Sequence, residues 1–99
     1  MVKYHFTNKA VEDLAGIWEY TFEKWSKHQA NTYYEILISN CAAIANNPNL
    51  GKSYQDITPN LLGIKVQRHI IFYRIIEEQR IEITRILHER MDLKHRIVE

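Results

Sequence analysis

Residues 64–88 read IKVQRHIIFYRIIEEQRIEITRILH, a run in which apolar and polar side chains alternate. A period of two is typical of β-strands that present their two faces to different surroundings. The run is too long for one strand, so we expect a turn near residues 67–69 and a polar turn at residues 77–80. The even-numbered positions include apolar residues that would share one face: Ile64, Val66, Ile70, Phe72 and Ile76. The odd-numbered positions include residues that would share the other face: Lys65, Gln67, His69, Tyr73 and Glu77. The second half of the chain therefore predicts three antiparallel strands.

The first half of the chain has the 3.6-residue period of helices, after a short strand pattern at Val2–Phe6. Thr7 or Asn8 can cap a first helix through its side-chain oxygen. The capping-box pattern SKHQ of residues 26–29 starts a second helix almost at once, and Pro48 ends it. The apolar stripes comprise Val11, Leu14, Ile17, Trp18, Phe22 and Trp25, then Ala30, Tyr33 or Tyr34, Leu37, Cys41, Ile44 and Ala45. We expect an antiparallel helical hairpin whose first stripe lies mostly in the core, with Trp25 at the bend the most open to solvent.

Residues 48–63 contain both prolines and two of the three glycines, so they are predicted to form a mobile surface loop. The resulting order is β-α-α-β-β-β, with helices in the first half and most strands in the second. This order predicts an α+β fold rather than an alternating α/β fold. At 99 residues the chain is expected to form one domain, residues 1–99, with the helical hairpin packed on an antiparallel sheet.

The composition excludes several classes of protein. The chain is 45% hydrophobic and 25% charged, which is typical of folded domains and disfavours disorder. No apolar run approaches the roughly 20 residues that span a bilayer, and the first residues lack the apolar stretch of a signal peptide. Cys41 is the only cysteine, which suits a reducing compartment, so we expect a cytoplasmic protein. The five histidines lack metal-ligand spacing, so no zinc site is expected.

Five segments of the chain together resemble one protein family. They are Asp13-Leu14 with Ile17, Trp25 with Gln29-Ala30 and Tyr33, Ala45-x-Asn47-Pro48-x-x-Gly51-Lys52, His69-Ile70-Ile71-Phe72-Tyr73-Arg74, and Arg85-Ile86-Leu87-His88-x-Arg90-Met91-Asp92. In order and spacing they are similar to the ParE branch of the RelE/ParE superfamily of bacterial toxins, also called plasmid stabilisation proteins. The resemblance covers nearly the whole chain. One departure is the sequence after Gly63, where many members carry an arginine and this chain reaches its arginine only at Arg68.

The resemblance implies the family's β-α-α-β-β-β fold and the role of a toxin in a type II toxin–antitoxin system. It implies a ParD-like antitoxin with an acidic C-terminal segment, which neutralises the toxin by direct binding. The usual target of the ParE branch is DNA gyrase, which is trapped on cleaved DNA so that replication stops. No cofactor, no membrane contact and no sequence-specific nucleic-acid binding are expected.

The residues leave a second class of function open. The RelE branch cleaves messenger RNA on the ribosome, a reaction that needs proton-transfer groups and cations at the phosphate. Suitable residue types are Lys65, Arg68, His69, Arg74, Arg85 and His88. The strand period places Lys65 and His69 on one face of their strand. It places Arg68 and Arg74 on the opposite face, so all six cannot converge without a bulge. We therefore predict that the chain is not an enzyme; a ribonuclease would use Arg68, Arg85 and His88. A third hypothesis is a toxin-like fold that has lost its activity and only binds its partner.

Candidate contacts with the antitoxin or the target are aromatic or basic. They are Trp25, Lys65, Arg68, His69, Tyr73, Arg74, Arg85, His88 and Arg90. Tryptophan, tyrosine and arginine dominate binding hot spots, whereas Arg74 and Arg85 can instead pair with Glu82 or Glu89. A groove beside the hairpin would accept an amphipathic helix, and an open sheet edge would pair with an extended tail.

Overall fold

A computed structural model of the chain describes residues 3–77 and 80–98. Its elements are β1 (Lys3–Phe6), α1 (Asn8–Lys24), α2 (Lys27–Asn46), a 3₁₀ turn (Pro48–Leu50), β2 (Lys52–Ser53), β3 (Leu62–Val66), β4 (His69–Glu77), β5 (Arg80–His88) and α3 (Leu93–Val98). The predicted order β-α-α-β-β-β is confirmed, with the short strand β2 and the closing helix α3 added. The predicted strand start at Val2 and the polar turn at Glu78-Gln79 lie outside the described residues. No helix in the described part of the chain is long and apolar enough to span a bilayer.

Side-chain caps start both helices of the hairpin. The Thr7 hydroxyl accepts the Ala10 N–H at 3.1 Å and donates to the Thr84 carbonyl at 2.8 Å, so one residue starts α1 and ties it to β5. Ser26 starts α2 by accepting the Gln29 N–H at 3.1 Å, as the capping-box pattern predicts. The two helices are therefore separated only by residues 25–26 and lie side by side.

The sheet has the strand order β1-β5-β4-β3-β2. The chain's second half forms the predicted antiparallel meander of β3, β4 and β5. β1 runs parallel to β5, so the five-stranded sheet is mixed. Its central strand β4 is buried on both faces from Ile70 to Tyr73, which explains why that segment is a continuous apolar run.

Each face of the sheet carries its own core. On the face covered by α1 and α2, the helix-side core contains Ala10, Leu14, Leu37, Cys41, Ile44, Ala45, Val66, Ile71, Tyr73, Ile81, Ile83 and Ile86. On the opposite face, Leu61, Ile70, Phe72 and Leu87 form a second cluster, against which Tyr54, Ile57, Leu93 and Ile97 pack. The prediction of a mobile surface loop at residues 48–63 is therefore wrong for its second part, because Leu61 is 1% exposed and anchors the loop to the sheet.

A tight turn and a bulge change which strand residues share a face. Gln67, with φ of 54°, and Arg68 form a two-residue turn, so Val66 pairs with His69 and both face the helices. Lys65 pairs with Ile70 on the opposite face, and the predicted grouping of Lys65 with His69 is wrong because the turn shifts the parity by one residue. In β5, Thr84 is the extra residue of a bulge between the Phe72 and Tyr73 pairings. The bulge places Ile83, Ile86 and His88 on the helix side.

The aromatic stripe of α1 is less buried than expected. Leu14 is 6% exposed, but Phe22 is 47% exposed, so the expectation of a core position is wrong for that ring. Trp25 is 68% exposed, as expected for the residue at the bend. The reason is that α1 packs on β5 and α2 through the narrow row of Ala10 and Leu14, while one layer of helices leaves its outer side to solvent. Trp18 stacks on Phe22 and donates from its indole nitrogen to Asn31 across the hairpin.

Candidate functional site

His69 and His88 lie side by side because they are cross-strand partners at one end of β4 and β5. Their rings meet edge to face with centroids 5.3 Å apart. The Arg90 N–H donates to His88 Nδ1 at 3.1 Å, so the neutral His88 ring carries its proton on Nε2. The Tyr33 hydroxyl lies 2.6 Å from His69 Nδ1. Within the described residues no hydrogen bond engages either Nε2, so both Nε2 atoms can meet a ligand.

The surroundings of His69 keep its imidazole uncharged. Burial first, and then the neighbouring His88, lower the pKa of His69 to about 4, while Asp13 and Glu89 act in the opposite direction. Burial also raises the pKa of Tyr33, whose hydroxyl lies 3.3 Å from the Val66 carbonyl. His69 is therefore neutral near pH 7 and is held by a neutral tyrosine.

Lys65 and Arg68 share one carboxylate beside the histidine pair. Glu89 Oε1 lies 2.8 Å from Lys65 Nζ, and Glu89 Oε2 lies 3.7 Å from Arg68 Nη1. The Lys65 hydrogen bond is the largest cause that lowers the pKa of Glu89. Both cationic side chains remain mostly exposed, at 60% and 67%. Two cations for one carboxylate leave a net positive charge at the β3–β4 turn.

A groove of about 360 Å³ lies between the hairpin bend and the β3–β4 turn, and we call it the tip groove. Its walls carry the aromatic rings of Tyr20, Trp25 and Tyr33. Between the rings lie the amides of Gln29 and Gln67, the guanidinium of Arg68 and the histidine pair. No carboxylate is found among its described lining residues. The tip groove is therefore aromatic and basic.

Asp13 closes part of an open sheet edge. β1 ends at Phe6, opposite Ile83, so β5 continues past it without a strand on that side. The Asp13 carboxylate accepts the Ile86 N–H at 3.0 Å and two Arg85 N–H groups at 2.8 and 3.1 Å. Both side chains of the pair are largely buried, and Arg85 also donates to the Arg96 carbonyl at 2.7 Å. The prediction that Arg85 pairs with Glu82 or Glu89 is wrong, because the open edge brings it to α1 instead.

Beside this ion pair lies a second groove of about 380 Å³, which we call the edge groove. Its apolar lining includes Ile17, Ile86, Leu87 and Met91. Gly16 forms part of its floor, and a Cβ added at Gly16 would meet no atom within 4 Å. Tyr20, His69 and His88 line both grooves, so the two grooves adjoin.

Three other candidate residues lie away from both grooves. Tyr73 is fully buried, and its hydroxyl donates to the Pro48 carbonyl at 2.6 Å, so its selection as a contact residue is wrong. Arg74 faces the second cluster and donates to the Thr58 hydroxyl at 3.2 Å. Glu82 is its cross-strand partner, but among the described residues Arg74 forms no ion pair with Glu82 or Glu89. Arg90 is exposed beyond the end of β5.

The structure brings together only part of the predicted set. Trp25, Arg68, His69 and His88 meet at the tip groove, and Arg85 lines the edge groove in its pair with Asp13. Lys65 and Arg74 lie on the opposite face, so the six residues considered for RNA cleavage do not converge, although a bulge is present. Three residues that line the grooves, Asp13, Gly16 and Tyr20, were not predicted as site residues, because only long-range packing brings them there. Glu89 was not predicted either, because only the folded chain places it beside Lys65 and Arg68. In the described part of the chain, no cluster of three or more His, Cys, Asp or Glu could hold a metal ion.

The architecture matches that of a known class of bacterial protein. A solved structure described as "Chromosomal ParDE TA system from P. aeruginosa" superposes with a TM-score of 0.76 over 89% of this chain and 96% of that chain. The two sequences are 18% identical, so this likeness establishes the fold alone. The chain thus shares the α+β fold of that structure: helices packed on one mixed sheet.

Sequence comparison identifies the family. Residues 4–93 match the model of the family described as ParE toxin of type II toxin-antitoxin system, parDE. The chain is 32% identical over 91 residues to Toxin ParE1 of Mycobacterium tuberculosis (strain CDC 1551 / Oshkosh), covering 92% of this chain and 93% of the relative. It is 30% identical over 94 residues to Toxin ParE1 of Caulobacter vibrioides, covering 95% and 96%. The chain belongs to the ParE toxin family of type II toxin–antitoxin systems, which confirms the resemblance seen in its motifs.

Proposed function

We propose that this chain is a toxin that binds and inhibits DNA gyrase and is neutralised by direct binding of a ParD-like antitoxin. The observation that carries the proposal is the match of residues 4–93 to the ParE family, at a length that spans almost the whole of its relatives. The usual target of this branch is gyrase, trapped on cleaved DNA. The chain thus acts by binding rather than by catalysis.

The geometry of the cationic residues supports a binding role. A ribonuclease needs cations that are free to stabilise the charge of the phosphorane. Arg85 is instead fixed by two hydrogen bonds to Asp13, and Arg74 lies on the opposite face beside Thr58. Tight internal pairing of Arg85 makes it a structural residue of the β5 edge. This arrangement favours gyrase binding over messenger RNA cleavage.

The edge groove is the proposed docking site for the antitoxin. Its apolar lining, Ile17, Ile86 and Met91 among others, fits the apolar side of an amphipathic segment. The charged lining holds Glu12 and Arg96 besides the pair of Asp13 and Arg85, and Lys94 and His95 belong to the same closing helix as Arg96. Basic groups therefore stand near the path of an acidic segment on the side of this helix. Exposed Gly16 lets a partner approach the α1 backbone closely.

The test is a gyrase assay with purified components. The toxin is added to gyrase and relaxed closed-circular DNA, with and without its co-encoded antitoxin, alongside a ribosome-bound messenger RNA. We expect supercoiling to stop, cleaved DNA to accumulate, and the messenger RNA to stay intact. Cleavage of the messenger RNA with gyrase unaffected would replace the proposal by a ribonuclease that uses Arg68, Arg85 and His88. Silence in both assays would reject gyrase as the target and favour a fold that only binds its antitoxin.

A variant that fills the edge groove tests the docking site in the same assay. Gly16→Leu places a side chain into open space, and leucine has a higher helix propensity than glycine, so the fold should be kept. We expect this variant to inhibit gyrase and to resist neutralisation by the antitoxin. Ala15→Leu is the matched control, because Ala15 is exposed on α1 and is not among the groove's described lining residues. Equal neutralisation of both variants would place the antitoxin elsewhere.

A further inference from the structure

The tip groove exposes aromatic rings that the fold does not use. Trp25 is 68% exposed and Tyr20 is 63% exposed, although rings of this size are normally covered in a folded domain. Trp25 caps the C-terminus of α1, where its N–H donates to the Thr21 carbonyl at 2.9 Å. The backbone of Trp25 is thus fixed while its ring stays open to a ligand.

The lining of the tip groove carries the guanidinium of Arg68 and, among its described residues, no carboxylate. Outside this lining, charges of both signs lie near the rings in the sequence, and none of them forms an ion pair within residues 3–77 and 80–98: Glu19, Glu23, Lys24 and Lys27. Arg68 lines the groove from the β3–β4 turn and shares Glu89 with Lys65. The ligand that complements this surface carries negative charge.

The polar groups inside the tip groove suit a planar ligand with hydrogen-bonding edges. Gln29 and Gln67 each offer an amide donor and an amide acceptor. His69 and His88 offer their Nε2 atoms, since the Tyr33 hydroxyl and the Arg90 N–H engage the two Nδ1 atoms. A nucleobase has both a flat ring to stack and polar edges to read, whereas the Asp and Glu side chains of an acidic peptide offer charge and hydrogen-bond acceptors but no flat ring.

We propose that the tip groove binds single-stranded nucleic acid, with an unstacked base against Trp25 and Tyr20 and the adjoining phosphate on Arg68. A volume of about 360 Å³ lies in the range of small-ligand sites, roughly 300–1,000 Å³, and admits one base. A base within a duplex is stacked on its neighbours and cannot enter, so the groove selects single strands. Stacking and charge act on every base, so binding has little sequence preference. This activity is separate from gyrase inhibition and does not depend on it.

The experiment measures binding of a fluorescein-labelled oligothymidylate of about 12 nucleotides to the antitoxin-free toxin by fluorescence anisotropy. We expect Trp25→Ala to weaken binding about tenfold, because stacking on one aromatic ring is lost. We expect Arg68→Gln to reduce the dependence of log K on log salt by about 0.7, the value for one phosphate contact to a single strand. Both side chains are mostly exposed, so neither change should disturb the fold.

Two matched variants control for charge and for the fluorophore. Arg80→Gln removes the same charge at the far end of β5 and should leave binding unchanged. Trp18→Phe leaves Trp25 as the single tryptophan, since the chain has two, and its emission should be quenched by the oligonucleotide. The proposal is rejected if Trp25→Ala binds as tightly as the unmodified chain. It is also rejected if Arg80→Gln weakens binding as much as Arg68→Gln does. Binding of the matching duplex as tightly as the single strand would reject it too. So would displacement of the oligonucleotide by polyglutamate as effectively as by unlabelled oligothymidylate.

Discussion

At the scale of single residues, the hydroxyl of Tyr73 joins two segments that are distant in the sequence. It donates to the Pro48 carbonyl at 2.6 Å and accepts the Gly51 N–H at 2.8 Å. A Cβ at position 51 would collide with the Tyr73 ring and hydroxyl, so the turn approaches the ring closely only because Gly51 has no side chain. Two motifs that carried the family resemblance, Asn47-Pro48-x-x-Gly51 and Phe72-Tyr73-Arg74, are therefore one structural contact rather than a partner-binding site.

The first prediction concerns this hydroxyl. Tyr73→Phe leaves the Pro48 carbonyl and the Gly51 N–H without their partner, so the free energy of unfolding should fall by about 1–3 kcal/mol. Urea unfolding followed by circular dichroism measures the change. Tyr20→Phe is the control, because Tyr20 is 63% exposed, and it should stay within about 0.5 kcal/mol of the unmodified chain. Equal midpoints for the two variants would show that the hydroxyl does not stabilise the turn.

At the scale of elements, the sequence predicted what depends on neighbours along the chain. The caps at Thr7 and Ser26, the end of α2 before Pro48 and the split between β3 and β4 all follow from local patterns. Local patterns did not predict which strand residues share a face of the sheet. The alternation of side chains between the two faces is shifted by one residue at the two-residue turn and again at the Thr84 bulge. These two shifts place His69 and His88 on the same face. No local pattern marks a bulge whose extra residue is a threonine.

The second prediction concerns the segment from Tyr54 to Leu61, which composition alone assigned to the surface. The turn at Thr58–Leu61 places Leu61 in the second cluster with Phe72 and Leu87, at 1% exposure. Leu61→Ala should lower the free energy of unfolding by about 2–5 kcal/mol, through lost burial and a cavity. Leu50→Ala is the matched control, since Leu50 is 49% exposed, and a change within about 0.5 kcal/mol is expected. If thermal unfolding shows the same loss of stability for both substitutions, Leu61 does not anchor this loop to the second cluster.

At the scale of the whole molecule, the fold and the family were predictable from one sequence, but the grooves were not. The periodicity of apolar residues predicted the hairpin and the meander, and the order of the motifs indicated the resemblance to the ParE family. The grooves form where β5 continues past β1 and where the hairpin bend meets the β3–β4 turn, so they depend on the relative lengths of elements far apart in the chain. Exposure of Trp25 could be anticipated from its place at the bend, whereas the partnership of Asp13 and Arg85 required the assembled sheet edge.

The last prediction concerns how the stability of the molecule depends on pH. Burial and the nearby His88 lower the pKa of His69 to about 4, below its usual 6.5, so the unfolded chain binds this proton more tightly than the folded one. The stability that His69 contributes is therefore complete above pH 6.5 and is lost as the pH falls towards 4. Glu89, whose pKa is lowered from 4.5 chiefly by Lys65, contributes stability that is lost only at lower pH, so measurements between pH 6.5 and 5 isolate the histidine.

Urea midpoints should fall with pH across this window. His69→Gln should flatten the fall. His88→Gln should reduce it in part, because it removes the second cause of the lowered pKa while burial, the largest cause, remains. An unchanged slope in His69→Gln would show that another group sets the acid limit of the fold.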